Sequence, residues 1–179
     1  MYTLEAHFHS LENLNVSEFL EHKGVYVIWC AKAEVAPSYI GEGSVIKRLH
    51  DHFSANGGRK FPKPIRGYAA IPFHDGDAST KNDALIVEAL LKLVADDTDR
   101  ETRHNIKRGA FSAVHKHFED HPTVCVNITG FDPFWHPKKP KTLAVRRWIK
   151  ARKDGDDFSW ETNWRRRYEK KSFLTNLFS

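Results

Sequence analysis

Cysteine is scarce in this chain: 179 residues hold two, Cys30 and Cys125. Both sit in apolar, strand-like runs, so they read as buried reduced thiols, and a disulfide framework is excluded. Histidine is plentiful at 11 residues, yet no Cys/His group has the spacing of a zinc site. His117 and His121 share a face only if a helix lasts that far, and they read as surface residues. No apolar run is long enough to span a bilayer, and Met1 to His7 has neither a basic start nor a continuous apolar stretch. No membrane association is expected, and the chain reads as soluble, intracellular and cytoplasmic. Internal repeats and low-complexity tracts are lacking too.

What is present is enough apolar material, 40% of residues, for one sizeable domain but not for two. The charge is unevenly distributed. Residues 138 to 171 hold 13 Lys plus Arg against 5 Asp plus Glu, a net of +8, whereas residues 1 to 137 carry a net of −3. A mildly acidic body with a basic tail suits a tail that holds a polyanion for the body to act on. Asp132 to Pro140, broken by prolines, is the expected boundary. The division is then a body over 1–137 and a basic helical extension over 138–179, packed on the body or ordered by nucleic acid.

The chain is organised around Gly24 to Phe53. Val25 to Cys30 is β-branched, aromatic or thiol throughout and follows a glycine, so it reads as a buried strand with Tyr26 and Ile28 on one face. Ser38-Tyr39-Ile40 is close enough to be its antiparallel partner. Gly41 and Gly43 bracket Glu42 in an expected tight turn, and Ser44 reads as the N-cap of a helix. In that helix Val45 or Ile46, Leu49 and Phe53 face the core, while Arg48 and His52 sit i,i+4 on a flanking stripe.

The remainder is uneven in information. Residues 1 to 15 read as irregular or as a short edge strand, and Ser17 as the cap of a brief helix through His22. Arg59, Lys60, Lys63 and Arg66 could touch phosphates from a glycine-rich loop. Gly67 to Pro72 reads as a third strand, and Ser79 or Thr80 caps a helix running to about Ala95. This helix is apolar nearly all round, with Glu88 at its middle. A buried carboxylate needs a partner, and either Lys92, four residues on, or a divalent metal would serve. Glu101 to Phe118 reads as helical and Thr123 to Ile128 as a further strand. A basic helix is expected over Thr142 to Arg152, carrying Arg146, Arg147 and Lys150. A last helix is expected over Ser159 to Lys171. There Trp160, Trp164 and Tyr168 recur every four residues, a stripe that could stack on bases but at helical spacing reads as packing on the core, with Arg165, Arg166 and Arg167 presented outward.

Gly24-Val25-Tyr26 and Tyr39-Ile40-Gly41, followed by Arg48 and by His52 one turn later, resemble the motifs of the GIY-YIG nuclease superfamily. Valine replaces the usual isoleucine in the first motif, and the second is unchanged. The resemblance covers roughly residues 22 to 106. It implies an α/β (α+β) fold with a small three-stranded mixed or antiparallel sheet flanked by helices. To this the chain adds a further strand and its C-terminal extension.

The resemblance further implies an endonuclease that hydrolyses phosphodiester bonds in DNA, leaving a 3′-hydroxyl and a 5′-phosphate. Glu88 falls where the family places its metal-binding glutamate, for one Mg²⁺ or Mn²⁺ per site, and no small-molecule cofactor is expected. Tyr26 is implied as general base, Tyr39 as orienting water or phosphate, Arg48 as gripping the phosphate, and His52 as bonding base or phosphate. Whether Tyr26 or His52 accepts the proton stays open. Asn105 is the residue matched to an auxiliary family asparagine, with Asn82 and Asn127 as competitors. A catalytically silent nucleic-acid-binding or accessory module of the same fold is the alternative, and both monomer and dimer remain open.

Overall fold

The computed structural model of the chain describes residues 1–30, 37–54, 66–77, 80–97, 121–154 and 157–164. Asn105, Arg59, Lys60, Lys63, Arg165, Arg166, Arg167 and Tyr168 lie outside these residues, as does the helix expected over Glu101 to Phe118. Among the described residues the architecture is α+β: one mixed sheet of eight strands with three α-helices and a short 3₁₀ turn. The strands are β1 (Tyr2–Ser10), β2 (Gly24–Trp29), β3 (Tyr39–Gly43), β4 (Arg66–Ala70), β5 (Pro72–Phe73), β6 (Thr123–Gly130), β7 (Arg147–Asp154) and β8 (Asp157–Thr162). Their order is β3-β2-β4-β1-β6-β7-β8, with β5 also paired to β1. The helices are α1 (Val16–Glu21), α2 (Val45–Phe53) and α3 (Lys81–Asp97).

The expected three-stranded sheet is present as β3-β2-β4, antiparallel throughout, but it is only one end of a larger sheet. Two segments account for the difference. Residues 1 to 15, expected to be irregular or a short edge strand, instead form a nine-residue strand inside the sheet. It pairs antiparallel with β4 on one side and parallel with β6 on the other. Its alternation explains this: Leu4, Ala6 and Phe8 are fully or almost fully buried, while Glu5 and His7 face outward.

The second correction concerns the basic segment. Thr142 to Arg152 is not a helix: Arg147–Asp154 is a strand antiparallel to β6, and Asp157–Thr162 returns as its hairpin partner. Ile149 and Ala151 are buried and alternate with Lys150 and Arg152, which is strand periodicity. Trp160 and Trp164 pack against the core as expected, from a strand and its end rather than a helical stripe. The proline-broken stretch before β7 is also held down. Phe134 is buried, Trp29 Nε1 donates to Pro133 O at 3.2 Å, and the Tyr68 hydroxyl donates to Trp135 O at 3.0 Å.

Helix α3 lies on one face of the sheet. Ile86, Val87, Leu90, Leu91 and Val94 share a core with Val25, Val27, Ile40, Ala70, Val126 and Ile149. Its start is a reciprocal cap: Thr80 N and Oγ1 both donate to Asp83 Oδ2, and Asp83 N donates to Thr80 Oγ1. Helices α1 and α2 cover the other face at the β2-β3-β4 end, where Phe19, Val45 and Leu49 pack on Tyr26, Ile28, Ala69 and Ile71. On this second face, toward β6 and β7, the outward side chains of β1, including Glu5 and His7, are exposed.

Candidate active site

The two motif tyrosines meet because of strand register. Tyr26 stands opposite Gly41, and Ile28 opposite Tyr39, so both tyrosines project from the second face of the sheet. The expected turn over Gly41 to Gly43 is instead strand to its end, and the chain turns at Gly43, whose φ of 123° suits glycine. Gly41 has a different reason to be glycine. A Cβ there would lie 2.7 Å from the Tyr26 hydroxyl and would also strike the Tyr39 ring. Tyr26 therefore lies across the bare backbone toward the β3 edge, and the two rings stack at 5.8 Å between centroids.

Helix α2 brings His52 onto this pair. Its Nε2 is 3.1 Å from the Tyr26 hydroxyl, and its ring meets Tyr39 edge-on at 5.4 Å. Arg48, one turn earlier, is exposed. The start of α2 is pinned by Lys23, whose Nζ donates to Ser44 Oγ at 2.9 Å, so Ser44 does not cap the helix through its own side chain. Burial pushes the Tyr26 phenol far above its usual range, Tyr39 adds to the shift, and Arg48 pulls against it.

That shift has a consequence for stability. Below about pH 10, the ordinary phenol value, Tyr26 is protonated in the folded and the unfolded chain alike. Above it, the unfolded chain releases a proton that the folded chain retains, so stability falls as pH rises. Guanidinium unfolding at about pH 9 and about pH 11 should show a smaller alkaline loss for Tyr26→Phe than for the native chain. Equal losses would mean that the hydroxyl ionises freely.

Glu88 is nearly buried at 7% exposure and Lys92 at 6%; Lys92 Nζ donates to Glu88 Oε1 at 2.9 Å. The pair is therefore an interior one rather than a helix-surface one. Burial raises the Glu88 carboxyl above its usual range, Lys92 opposes that rise, and Glu42 adds to it. Glu42 is opposite Val25 in β3 and so shares the α3 face with Ile40. Its Oε2 is buried with no hydrogen-bond partner. Reading Glu42 as a turn residue missed it; alternation along β3 from Ile40 would have placed it inward.

The tyrosines and His52 thus stand on one face of the sheet, and Glu88 and Glu42 on the other. Strand β3 ends the sheet's order between them, and Glu88 is near enough for its charge to raise the Tyr26 phenol. No group of three or more His, Cys, Asp or Glu side chains suited to a metal occurs among the described residues. The donor chemistry nonetheless fits a hard cation such as Mg²⁺, which takes oxygen ligands, commonly one or two carboxylates with the rest water. Glu88 would hold it, and the orphaned oxygen of Glu42 is the second oxygen donor on that face.

The cationic residues sort differently from expectation. Lys150 stands opposite Cys125 and Arg152 opposite Thr123, on the second face, the face of the tyrosines. Arg146 is exposed and lies 3.6 Å from Glu5, and Lys150 lies 3.3 Å from Glu161. Arg147 turns the other way: its Nη1 donates to Asn163 O at 3.1 Å, and its Nε is buried. Asn127, offered as a competitor to Asn105, bonds Glu5 at 2.8 Å. No family model, curated protein or solved structure matches this chain.

Proposed function

We propose that the chain is a divalent-metal-dependent endonuclease that hydrolyses phosphodiester bonds in DNA, leaving a 3′-hydroxyl and a 5′-phosphate. The observation that carries this reading is the convergence of Tyr26, Tyr39 and His52, from three elements, on one hydroxyl–imidazole contact of 3.1 Å beside an exposed arginine. Hydrolysis needs a deprotonated water, neutralisation of charge on the phosphoryl oxygens and support for the departing alkoxide. Tyr26, kept protonated by burial, takes a proton from the attacking water only as it passes its own to His52 Nε2. Tyr39 packs beside both and fixes the water's approach. Arg48 grips the phosphate through its fork of donors. Glu88 would hold a divalent cation, which would supply Lewis-acid support for the charged phosphoryl and leaving oxygens.

The basic side chains on the tyrosine face support a DNA partner. Lys150, Arg152 and exposed Arg146 lie on the same side of the sheet as Tyr26, so a strand crossing that face would reach the site. The buried Glu88–Lys92 pair favours a second reading, a catalytically silent DNA-binding module, because Lys92 satisfies the carboxylate without a cation.

Supercoiled plasmid decides between them. The native chain should nick it with Mg²⁺ or Mn²⁺ but not with EDTA, and Glu88→Gln should not nick it at all. DNA binding without nicking under every condition would favour the silent module.

A further inference from the structure

Glu42 is a carboxylate that the proposed chemistry leaves unused, and one of its oxygens is buried. It sits three residues after Tyr39 in β3 and so on the opposite face, the face of helix α3. Ile40, two residues before it and on the same face, belongs to the same core as Ile86, Val87, Leu90 and Leu91. Strand β3 and helix α3 are in contact, and Glu42 is close enough for its charge to raise the Glu88 carboxyl. Glu42 Oε2 is buried without a hydrogen-bond partner, whereas Glu88 Oε1 holds the Lys92 ammonium at 2.9 Å. Glu88 has an ammonium on one of its oxygens, whereas Glu42 has a buried oxygen that no donor among the described residues reaches. A buried carboxylate oxygen in that state is costly unless a cation or a donor reaches it.

We propose that Glu42 is the second carboxylate of the divalent-cation site centred on Glu88, and that the Lys92 ammonium is the occupant of this site when no divalent cation is bound. The inference rests on Glu88 being the cation's ligand, and it adds two residues outside the motifs. Removing one carboxylate charge from such a site weakens it. Removing the competing ammonium strengthens it, because a divalent ion no longer has to displace a buried, hydrogen-bonded cation. Lys92 is therefore a brake on cation affinity, and Glu42 a support for it.

The experiment is Mn²⁺ titration of the full native chain and of its variants, followed by electron paramagnetic resonance of free Mn²⁺ and by the Mn²⁺-induced rise in melting temperature. The native chain should bind one Mn²⁺. Glu42→Gln should weaken binding by about tenfold or more, the scale on which metal-site partners act. Without metal the same variant should melt at or above the native temperature, since it loses a like charge. Lys92→Met should bind Mn²⁺ more tightly than native. If that variant does not fold, Glu42→Gln decides the matter alone, because its position on a strand leaves the Glu88–Lys92 bond intact. Native affinity within about twofold in Glu42→Gln, well short of the change expected, overturns the proposal, and so does a native chain that binds no Mn²⁺. Mn²⁺ bound as described without plasmid nicking would overturn the nuclease and leave this site standing. Metal-dependent nicking with Glu42→Gln unchanged in affinity would do the reverse.

Discussion

Glu88→Ala is expected to destabilise the chain by about 3–5 kcal/mol, the cost of leaving the other member of a buried ion pair uncompensated. Lys92 is 6% exposed and its ammonium donates to Glu88. Its neighbours on α3 are Leu90, Leu91 and Val94, which offer it nothing polar. Total stability for a chain of this size is about 5–15 kcal/mol, so the variant should unfold at clearly lower denaturant. The informative companion is Glu88→Ala with Lys92→Met. An apolar replacement of a buried pair is often neutral or better, so the double variant should recover most of the loss, giving a coupling energy well above what separate sites show. Urea or guanidinium unfolding of the native, single and double variants measures it. Recovered stability without recovered nicking would separate the structural role of Glu88 from its role toward the cation. Additive losses would mean that the two side chains act independently.

Tyr26→Phe is expected to lower plasmid nicking by about 100-fold or more, the range of a lost acid–base group, while stability changes by only about 1 kcal/mol, one hydrogen bond. The contrast follows from geometry. Phenylalanine keeps the ring over Gly41 and against Tyr39, and removes only the hydroxyl that faces His52 Nε2. If the proton moves from water through Tyr26 to His52, His52→Ala should cost as much, and the double variant no more than either single one. Nicking rates for the three variants, each with its unfolding curve, test this. Multiplying losses would mean that the two side chains act on different steps. Unchanged nicking in Tyr26→Phe would make the residue an ordinary core aromatic.

The tyrosine half of the site was legible in the sequence because local signals all agreed there. A glycine-bounded apolar run gave β2, a short neighbour gave β3, and helical spacing placed Val45 and Leu49 inward with Arg48 and His52 on the flank. Thr80 and the apolar run after it marked α3. β1 was legible in principle. Leu4, Ala6 and Phe8 alternate with Glu5, His7 and His9, but Thr3 is the one β-branched residue in the nine, so strand propensity does not reinforce the period of two. β7 was not legible in the same way. Arg146, Arg147, Lys150 and Trp148 suit an exposed helix as well as a strand, and the edge of β6, far away in sequence, decides between them. The environment of Glu88 was only half visible: spacing found Lys92, but that the pair is interior depends on how α3 lies on the sheet.

The parallel pairing of β1 with β6 also bears on how the chain reaches its structure. β1 is an inner strand, and it is synthesised well before its partner on one side, residues 123 to 130. Until those residues exist, Leu4, Ala6 and Phe8 have no complete surface to bury against, and the β1 edge stays open to other strands. Contacts so distant in sequence slow folding. Protein yield during rapid synthesis should therefore depend on whatever shields the first ten residues, far from the motifs that carry the chemistry.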